Sequence, residues 1–143
     1  MRATSRRVTT VIGMTLIGAM SPLAAQDKPA PLAVTQGANT IKRTPLQKFD
    51  VPGTNLETVI AIAEIIPNVA IGRHTHPGIE SAYVLEGTLV IKITGQPDKA
   101  MKAGDSWQVP AGVIHDGVTG AQGAKVIVTY VVEKGKPLAS PAN

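Results

Sequence analysis

Three histidines and one glutamate constrain this chain more than any other feature. His74 and His76 are one residue apart, so on a β-strand both side chains point to the same face, with Cα atoms roughly 6.5–7 Å apart. A metal–nitrogen bond is only about 2.1 Å long, so two such imidazoles can converge on one ion. Glu80 follows a Pro-Gly turn and His115 follows a separate Pro-Ala-Gly turn. Together they would add a carboxylate oxygen and a third nitrogen.

The donor set indicates which ions such a site would hold. Three neutral nitrogens and one anionic oxygen suit a borderline divalent ion, and a six-coordinate ion would keep open positions. We expect one divalent metal ion, Fe²⁺ or Mn²⁺ first, with Zn²⁺, Ni²⁺ and Cu²⁺ as alternatives. The chain has no cysteine, which excludes a thiolate site and disulfides.

Two segments resemble the paired motifs of the cupin superfamily. Residues 68–87 resemble the first motif, G-x5-H-x-H-x3-E-x6-G, and residues 104–119 resemble the second, G-x5-P-x-G-x2-H-x3-N. Asn68 replaces the first glycine, and Thr119 replaces the final asparagine. Neither position is a metal ligand, and asparagine tolerates the left-handed backbone that glycine would adopt.

The resemblance implies an all-β fold, a double-stranded β-helix or jelly-roll barrel, in a small single-domain cupin similar to the quercetin-dioxygenase-like cupins. It identifies His74, His76, Glu80 and His115 as the metal ligands. It also suggests a homodimer, with the 38–46 segment adding a strand to the neighbouring subunit.

Short β-branched runs separated by turn residues independently predict a sandwich or barrel. No internal repeat is present, so a single barrel is expected. The predicted strands are Leu56–Ile66, Ala70–His76, Ile79–Leu85, Thr88–Thr94, Ser106–Val109, Val113–Val118 and Lys125–Glu133. The predicted organisation is a signal peptide (1–25), an extended arm (26–37), a cupin domain (38–134) and an irregular tail (135–143).

The N-terminal residues are typical of a secretory signal peptide. A basic stretch is followed by the short apolar run 11–20 and by a small-residue exit at Ala24-Ala25. The run is too short and too interrupted to span a bilayer, so no stable membrane insertion is expected. We therefore predict an exported protein, periplasmic or secreted, that begins near Gln26. The choice between the general secretory and the twin-arginine route stays open.

Charge and aromatic content argue against a nucleic-acid partner. The net charge of +4 includes three arginines within the first 25 residues, whereas all ten acids lie beyond them. The remainder carries eleven basic and ten acidic residues, which is no basic footprint. Four aromatic residues are too few for base-stacking platforms. The expected partner is a small-molecule ligand or substrate.

Other polar and aromatic residues receive predictions from strand alternation. Glu64 and Arg73 are predicted to face outward, with the cavity as the alternative for Glu64. Trp107 is interpreted as core packing, and Tyr83 is expected outside the lumen. Asp116 is expected to be solvated, with orientation of a ligand as its alternative.

The predicted function is a metal-dependent oxidoreductase of the dioxygenase type acting on a small organic substrate, with Glu80 as the catalytic base. The expected surroundings of the metal are mostly apolar, which suits a small or partly apolar ligand. A non-catalytic, metal-anchored binding protein is one alternative, and a metal-dependent isomerase or decarboxylase is another. Lyase cupins that act on dimethylsulfoniopropionate place a catalytic tyrosine two residues after the ligand glutamate. Ala82 occupies that position here, so a lyase of that type is disfavoured.

Overall fold

A computed structural model describes residues 40–143, and every regular element in this range is a β-strand. The predicted all-β class is therefore confirmed. The predicted signal peptide and arm lie outside the described residues. The strands are β1 (Ile41–Asp50), β2 (Leu56–Ile65), β3 (His74–Thr75), β4 (Gly78–Ile93), β5 (Lys99–Lys102), β6 (Ser106–Val109), β7 (His115–Glu133) and β8 (Ser140–Pro141).

The strands join one curled sheet that matches the expected double-stranded β-helix. Hydrogen-bonded neighbours run in the order β1-β2-β7-β3-β8, and β4 pairs with β5, β6 and β7. Alternate residues of β2, β4 and β7 point inward, which gives the period of two in their burial. The core is formed mainly by small and β-branched side chains, including Ala63, Val84, Ile91, Val109, Val126, Val128 and Val132.

Strands β4 and β7 are longer than predicted and organise the sheet. The segments 86–87 and 120–123 were predicted as turns between separate strands, but each lies within one continuous strand. The β4–β7 pairing shifts register on both sides of this point, between Val84 and Glu86 and between Gly87 and Leu89. Glycine with a left-handed backbone conformation occurs in β-bulges as well as in turns. The two long strands therefore bend here without ending.

The predicted strand Ala70–His76 is largely irregular. Only His74 and Thr75 form β3, and Ala70 makes an isolated bridge to Val118. The amide of Gly72 donates to the Asp116 side chain at 2.9 Å and is not part of a strand ladder. Strand β5, which was not predicted, pairs with residues 88–91 of β4.

Both ends of the described range contact the sheet. Strand β1 pairs antiparallel with β2 of the same chain over Ile41–Asp50, with an irregularity between Pro45 and Gln47. The tail, predicted as irregular, contains the two-residue strand β8, which pairs with β3. Between residues 40 and 143, no helix has the length and apolar character needed to cross a membrane.

Substitution of Gly87 tests the bend in β4. A Cβ atom at Gly87 would lie 2.1 Å from the carbonyl oxygen of Gly123, whereas one at Gly95 would meet nothing within 4 Å. Both glycines have left-handed φ angles, 77° and 83°. We expect Gly95→Ala to cost about 1–2 kcal/mol of unfolding free energy and Gly87→Ala about 2–5 kcal/mol.

Equilibrium denaturation of the two variants is the measurement, with Gly95→Ala as the control for backbone conformation alone. Equal losses of stability would show that the close contact at Gly87 relaxes freely.

Candidate metal centre

The four predicted ligands come together in the structure although they lie on different segments. His74 on β3 is paired directly with His115 at the start of β7. His76 follows β3, and Glu80 is the third residue of β4. One donor atom from each residue lies within 4.8 Å of those of the other three. Ligands on opposite sides of one ion are about 4.2 Å apart, so the cluster has the dimensions of a metal site.

Backbone carbonyl groups fix the orientation of all three imidazoles. The Nδ1 atom of His74 lies 2.7 Å from the carbonyl oxygen of Gly72, and that of His115 lies 3.0 Å from the oxygen of Val113. The Nδ1 atom of His76 lies 2.5 Å from the carbonyl oxygen of Leu138 in the tail. A carbonyl only accepts hydrogen bonds, so each Nδ1 is protonated. This leaves Nε2 of each ring as the nitrogen that can donate a lone pair to a metal ion.

The inward nitrogens have no hydrogen-bonding partner. The Nε2 atoms of His76 and His115 are buried and make no hydrogen bond. They lie 2.7 Å and 3.5 Å from the Oε2 atom of Glu80, but without the geometry of a hydrogen bond. Buried polar atoms normally have a partner. These nitrogen atoms lie close to one carboxylate oxygen but do not bond to it. A cation coordinated by all three atoms would explain the arrangement, so the residues fit a divalent ion.

Trp107 holds the second carboxylate oxygen of Glu80. Its indole Nε1 donates to Oε1 at 3.0 Å, so the predicted packing residue also orients a candidate ligand. Burial of Glu80 by itself would raise the pKa of its carboxyl group. The neighbouring His115 and His76 outweigh burial and hold that pKa well below the usual range. Glu80 is therefore an anion, as a metal ligand must be.

The histidines do not share one protonation preference. Burial lowers the pKa of His74, and the nearby His115 and His76 add to the effect. Burial is the largest single effect at His115 and acts to lower its pKa, but the contacts with Glu80 and with the Val113 carbonyl group together outweigh burial and raise the pKa. Protons therefore compete with a metal ion more strongly at His115 than at His74.

The cluster lies at the inner end of a small cavity with a mostly apolar wall. The enclosed volume is about 30 Å³, enough for one or two water molecules. His74, Glu80 and His115 line it together with Trp107, Tyr130 and aliphatic side chains. A wider vestibule of about 540 Å³ lies outside and is lined in part by Arg73 and the tail.

Three of the outward predictions agree with the structure. Glu64 is exposed and lies 3.5 Å from Lys42. Tyr83 is 45% exposed, and Arg73 is exposed. Asp116 accepts a hydrogen bond from the amide of Gly72, whose carbonyl group orients His74, so Asp116 supports a ligand indirectly.

The two departures from the cupin motifs are explained by local contacts. Asn68 has φ of 55°, the left-handed conformation expected for a glycine replacement. The Thr119 hydroxyl donates to the carbonyl of Ile66 at 2.7 Å and accepts from the amide of Val69 at 3.2 Å. It thereby anchors the loop that leads toward His74.

Sequence reasoning missed three contributors to the site. Tyr130 lies inside the cavity, with its ring centroid 4.8 Å from that of His76, and burial raises the pKa of Tyr130 to about 12. Arg43 lines the cavity from β1, and Leu138 orients His76. Alternation along β7 would have placed Tyr130 on the same inward face as Val128 once the register was known. No local sequence pattern indicates that Arg43 or Leu138 contributes to the site.

The family is shown by comparison with known proteins. A family model described as the cupin domain matches residues 61–132, half of the chain, so the chain belongs to the cupin family. The matched range contains all four candidate ligands. No curated protein matches this chain.

Solved structures with this fold have varied activities. The polyketide cyclase RemF from Streptomyces resistomycificus is 24% identical, with a TM-score of 0.58 and coverage of 87% of this chain and 86% of its own. The DMSP lyase DddQ from Ruegeria pomeroyi is 16% identical, with a TM-score of 0.63 and coverage of 80% and 59%. An uncharacterised double-stranded β-helix protein from Klebsiella pneumoniae is 19% identical, with a TM-score of 0.57 and coverage of 77% and 90%. The chain thus spans less than two thirds of the lyase, and these likenesses concern the fold.

Removing a ligand and removing its support should weaken metal binding to different degrees. We expect Trp107→Phe, which deletes the hydrogen bond to Glu80 but keeps an aromatic ring, to lower metal affinity about 10–100-fold. His115→Ala should cause a larger loss because it removes a donor atom. Calorimetric titration with Mn²⁺ and Zn²⁺ measures both effects.

Tyr83→Phe is the control, since this exposed side chain lies on the opposite face of β4. Wild-type affinity in His115→Ala would contradict the metal site itself.

Proposed function

We propose that the protein is a metal-dependent oxidoreductase of the dioxygenase type that acts on a small, oxidisable organic molecule. The observation that carries the proposal is the set of inward Nε2 atoms and one carboxylate at the end of a small, mostly apolar cavity. Such a wall excludes bulk water from a reacting substrate. The relatives at 24% identity or less support the fold and do not select among chemistries.

His74, His76, Glu80 and His115 would hold one divalent ion, with Fe²⁺ or Mn²⁺ proposed as the native metal. When bound, the ion would act as a Lewis acid toward an oxygen atom of the substrate and would offer a position for dioxygen. The protein positions the substrate through the cavity wall. Its three carbonyl-bound imidazoles keep the donor atoms in place.

The proposed reaction is cleavage of the carbon–carbon double bond of an enol by dioxygen. Each carbon of that bond gains one oxygen atom of O₂. The carbon that carries the enol hydroxyl becomes a carboxylic acid, and the other becomes a carbonyl group. The substrate carbons lose four electrons, which reduce O₂ fully, so no other reductant is required.

Glu80 has two roles in this proposal. As long as Oε2 faces the three imidazoles, the low pKa of the carboxyl group makes it a ligand and a weak base. If the carboxylate leaves the ion on substrate binding, Glu80 can accept the enol proton while Trp107 still holds Oε1. The proton then returns to the carboxylate product.

A non-catalytic binding protein is the second candidate. It is favoured by one observation: Glu80 is the only acidic residue among the described side chains that line the cavity, and both its oxygens are already engaged. In that case the ion would anchor a small organic ligand without turnover.

Oxygen uptake distinguishes the two candidates. We expect metal-loaded protein to consume oxygen with at least one substrate from a panel of small diketones, phenolic acids and flavonols. Glu80→Gln should reduce turnover per bound metal at least 100-fold, because the amide cannot accept the proton. Rates must be normalised to metal content, since Glu80→Gln also removes an anionic ligand.

Glu64→Gln is the matched control, because Glu64 is exposed and pairs only with Lys42 on the surface. Saturable ligand binding without oxygen uptake would favour the binding protein. Undiminished turnover of Glu80→Gln would show that the assigned base is wrong.

Export and self-association are further proposals from the sequence. We expect the protein recovered from its host to lack residues 1–25, and a denatured mass that corresponds to a chain beginning at Gln26 would support this. A native mass of twice that value would support a homodimer, for which β1, an edge strand of the sheet formed by residues 40–143, offers a side with no strand partner in that range. A full-length mass in the cytoplasmic fraction would contradict export.

A further inference from the structure

The inner cavity and the vestibule meet at a neck formed by four residues. Ile41, Arg43, Ile71 and His74 line both spaces. Ile41 and Ile71 continue the apolar wall of the cavity, and His74 is a candidate ligand, so these three residues are expected there. Arg43 is the exception, because it brings a positive charge to the neck, where its side chain lines both spaces and is still exposed to solvent.

The side chain of Arg43 belongs to the inner face of β1. Arg43 is paired with Ala63, which is 2% exposed and faces the core. Its neighbour Lys42 is paired with Glu64 and lies 3.5 Å from that carboxylate on the outer surface. Adjacent residues of one strand thus carry the same charge to opposite faces of the sheet.

Arg43 has no acidic partner within residues 40–143. No carboxylate oxygen in this range lies within 4.0 Å of its guanidinium group, although seven lysine–carboxylate pairs are present there. Its polar neighbour in the cavity is the hydroxyl group of Tyr130. Arg43 acts to lower the pKa of that hydroxyl, against the larger and opposite effect of burial. Tyr130 therefore remains a neutral phenol and does not neutralise the arginine.

The charge balance at the neck favours an anion. Glu80 is the only described acidic residue lining the cavity, and it faces three imidazoles. With a divalent ion on these ligands, the ion and Glu80 sum to +1, and Arg43 adds another positive charge. An anionic ligand would bring its own negative charge to this positive neck, whereas a neutral ligand would gain nothing from the guanidinium charge.

We propose that Arg43 binds the carboxylate group of a small organic acid at the neck, while an oxygen atom of the same molecule enters the metal site. This assignment rests on the proposed metal-dependent function and narrows its substrate class to acids. The planar fork of a guanidinium group matches a carboxylate with two parallel hydrogen bonds. Ile41 and Ile71 would contact the apolar part of the molecule, and the Tyr130 hydroxyl would be a second donor.

A matched pair of probes tests this assignment. Lactate and lactamide both offer a hydroxyl and a carbonyl oxygen to a metal ion, but only lactate is an anion. The full-length protein is loaded with Mn²⁺, the bound metal is quantified, and each probe is titrated by calorimetry. We expect the wild type to bind lactate at least about tenfold more tightly than lactamide, the size of one charge-assisted hydrogen bond.

Variants of adjacent strand residues separate recognition from general charge. Arg43→Gln should reduce the preference for lactate to about onefold without changing Mn²⁺ stoichiometry. Arg43→Lys should retain part of the preference, because it keeps the charge and loses the fork. Lys42→Gln, which removes the same charge from the outer face, should behave as the wild type.

The outcomes distinguish the two levels of the proposal. If the wild-type protein failed to bind Mn²⁺, both the metal-dependent function and the assignment of Arg43 would be overturned. Stoichiometric Mn²⁺ with no preference for lactate, or a preference that survives Arg43→Gln, would overturn the role of Arg43 alone. An equal loss of the lactate preference in Lys42→Gln would also overturn the role of Arg43. A positive charge on the outer face of the sheet would then be enough to explain the preference.

Discussion

Three backbone carbonyl groups determine what the cluster can do. By accepting from the Nδ1 atoms of His74, His76 and His115, they leave the three Nε2 lone pairs directed at one point. Rings held only by apolar packing could flip and present either nitrogen, so the donor set would be undefined. The carbonyl groups belong to a loop, a turn and the tail. The site thus depends on three segments between and beyond the strands and not on the ligand residues alone.

Burial of Glu80 gives the cluster its electrostatic character. A carboxylate that is 5% exposed is costly unless positive charge or hydrogen bonds compensate for it. Trp107 supplies one hydrogen bond, and the imidazoles lie on the other side. Burial lowers the pKa of His74, whereas the contacts with Glu80 and the Val113 carbonyl group raise that of His115, so a proton would compensate the carboxylate unevenly across the cluster. A single divalent ion would serve all four residues at once.

The clustering of the four candidate ligands could be predicted from the sequence because motif spacing and two short turns encode it locally. The supporting residues could not. Whether Trp107 packs or donates depends on which face of β6 meets Glu80, and that is set by pairing of β4 with β6. Arg43 and Leu138 reach the site through contacts distant in sequence. The lengths of β4 and β7 were missed for a different reason: glycine at a bulge and glycine at a turn look alike in a sequence.

The bond between His76 and the carbonyl of Leu138 has a consequence for how the protein matures. Leu138 follows every ligand in the chain, so the ribosome makes the last part of the site after all four donor side chains. A nascent chain that has reached Glu133 already possesses both motifs and both long strands, yet His76 lacks the acceptor that fixes its tautomer. His76 therefore has its orientation for metal binding only once the tail has docked beside β3.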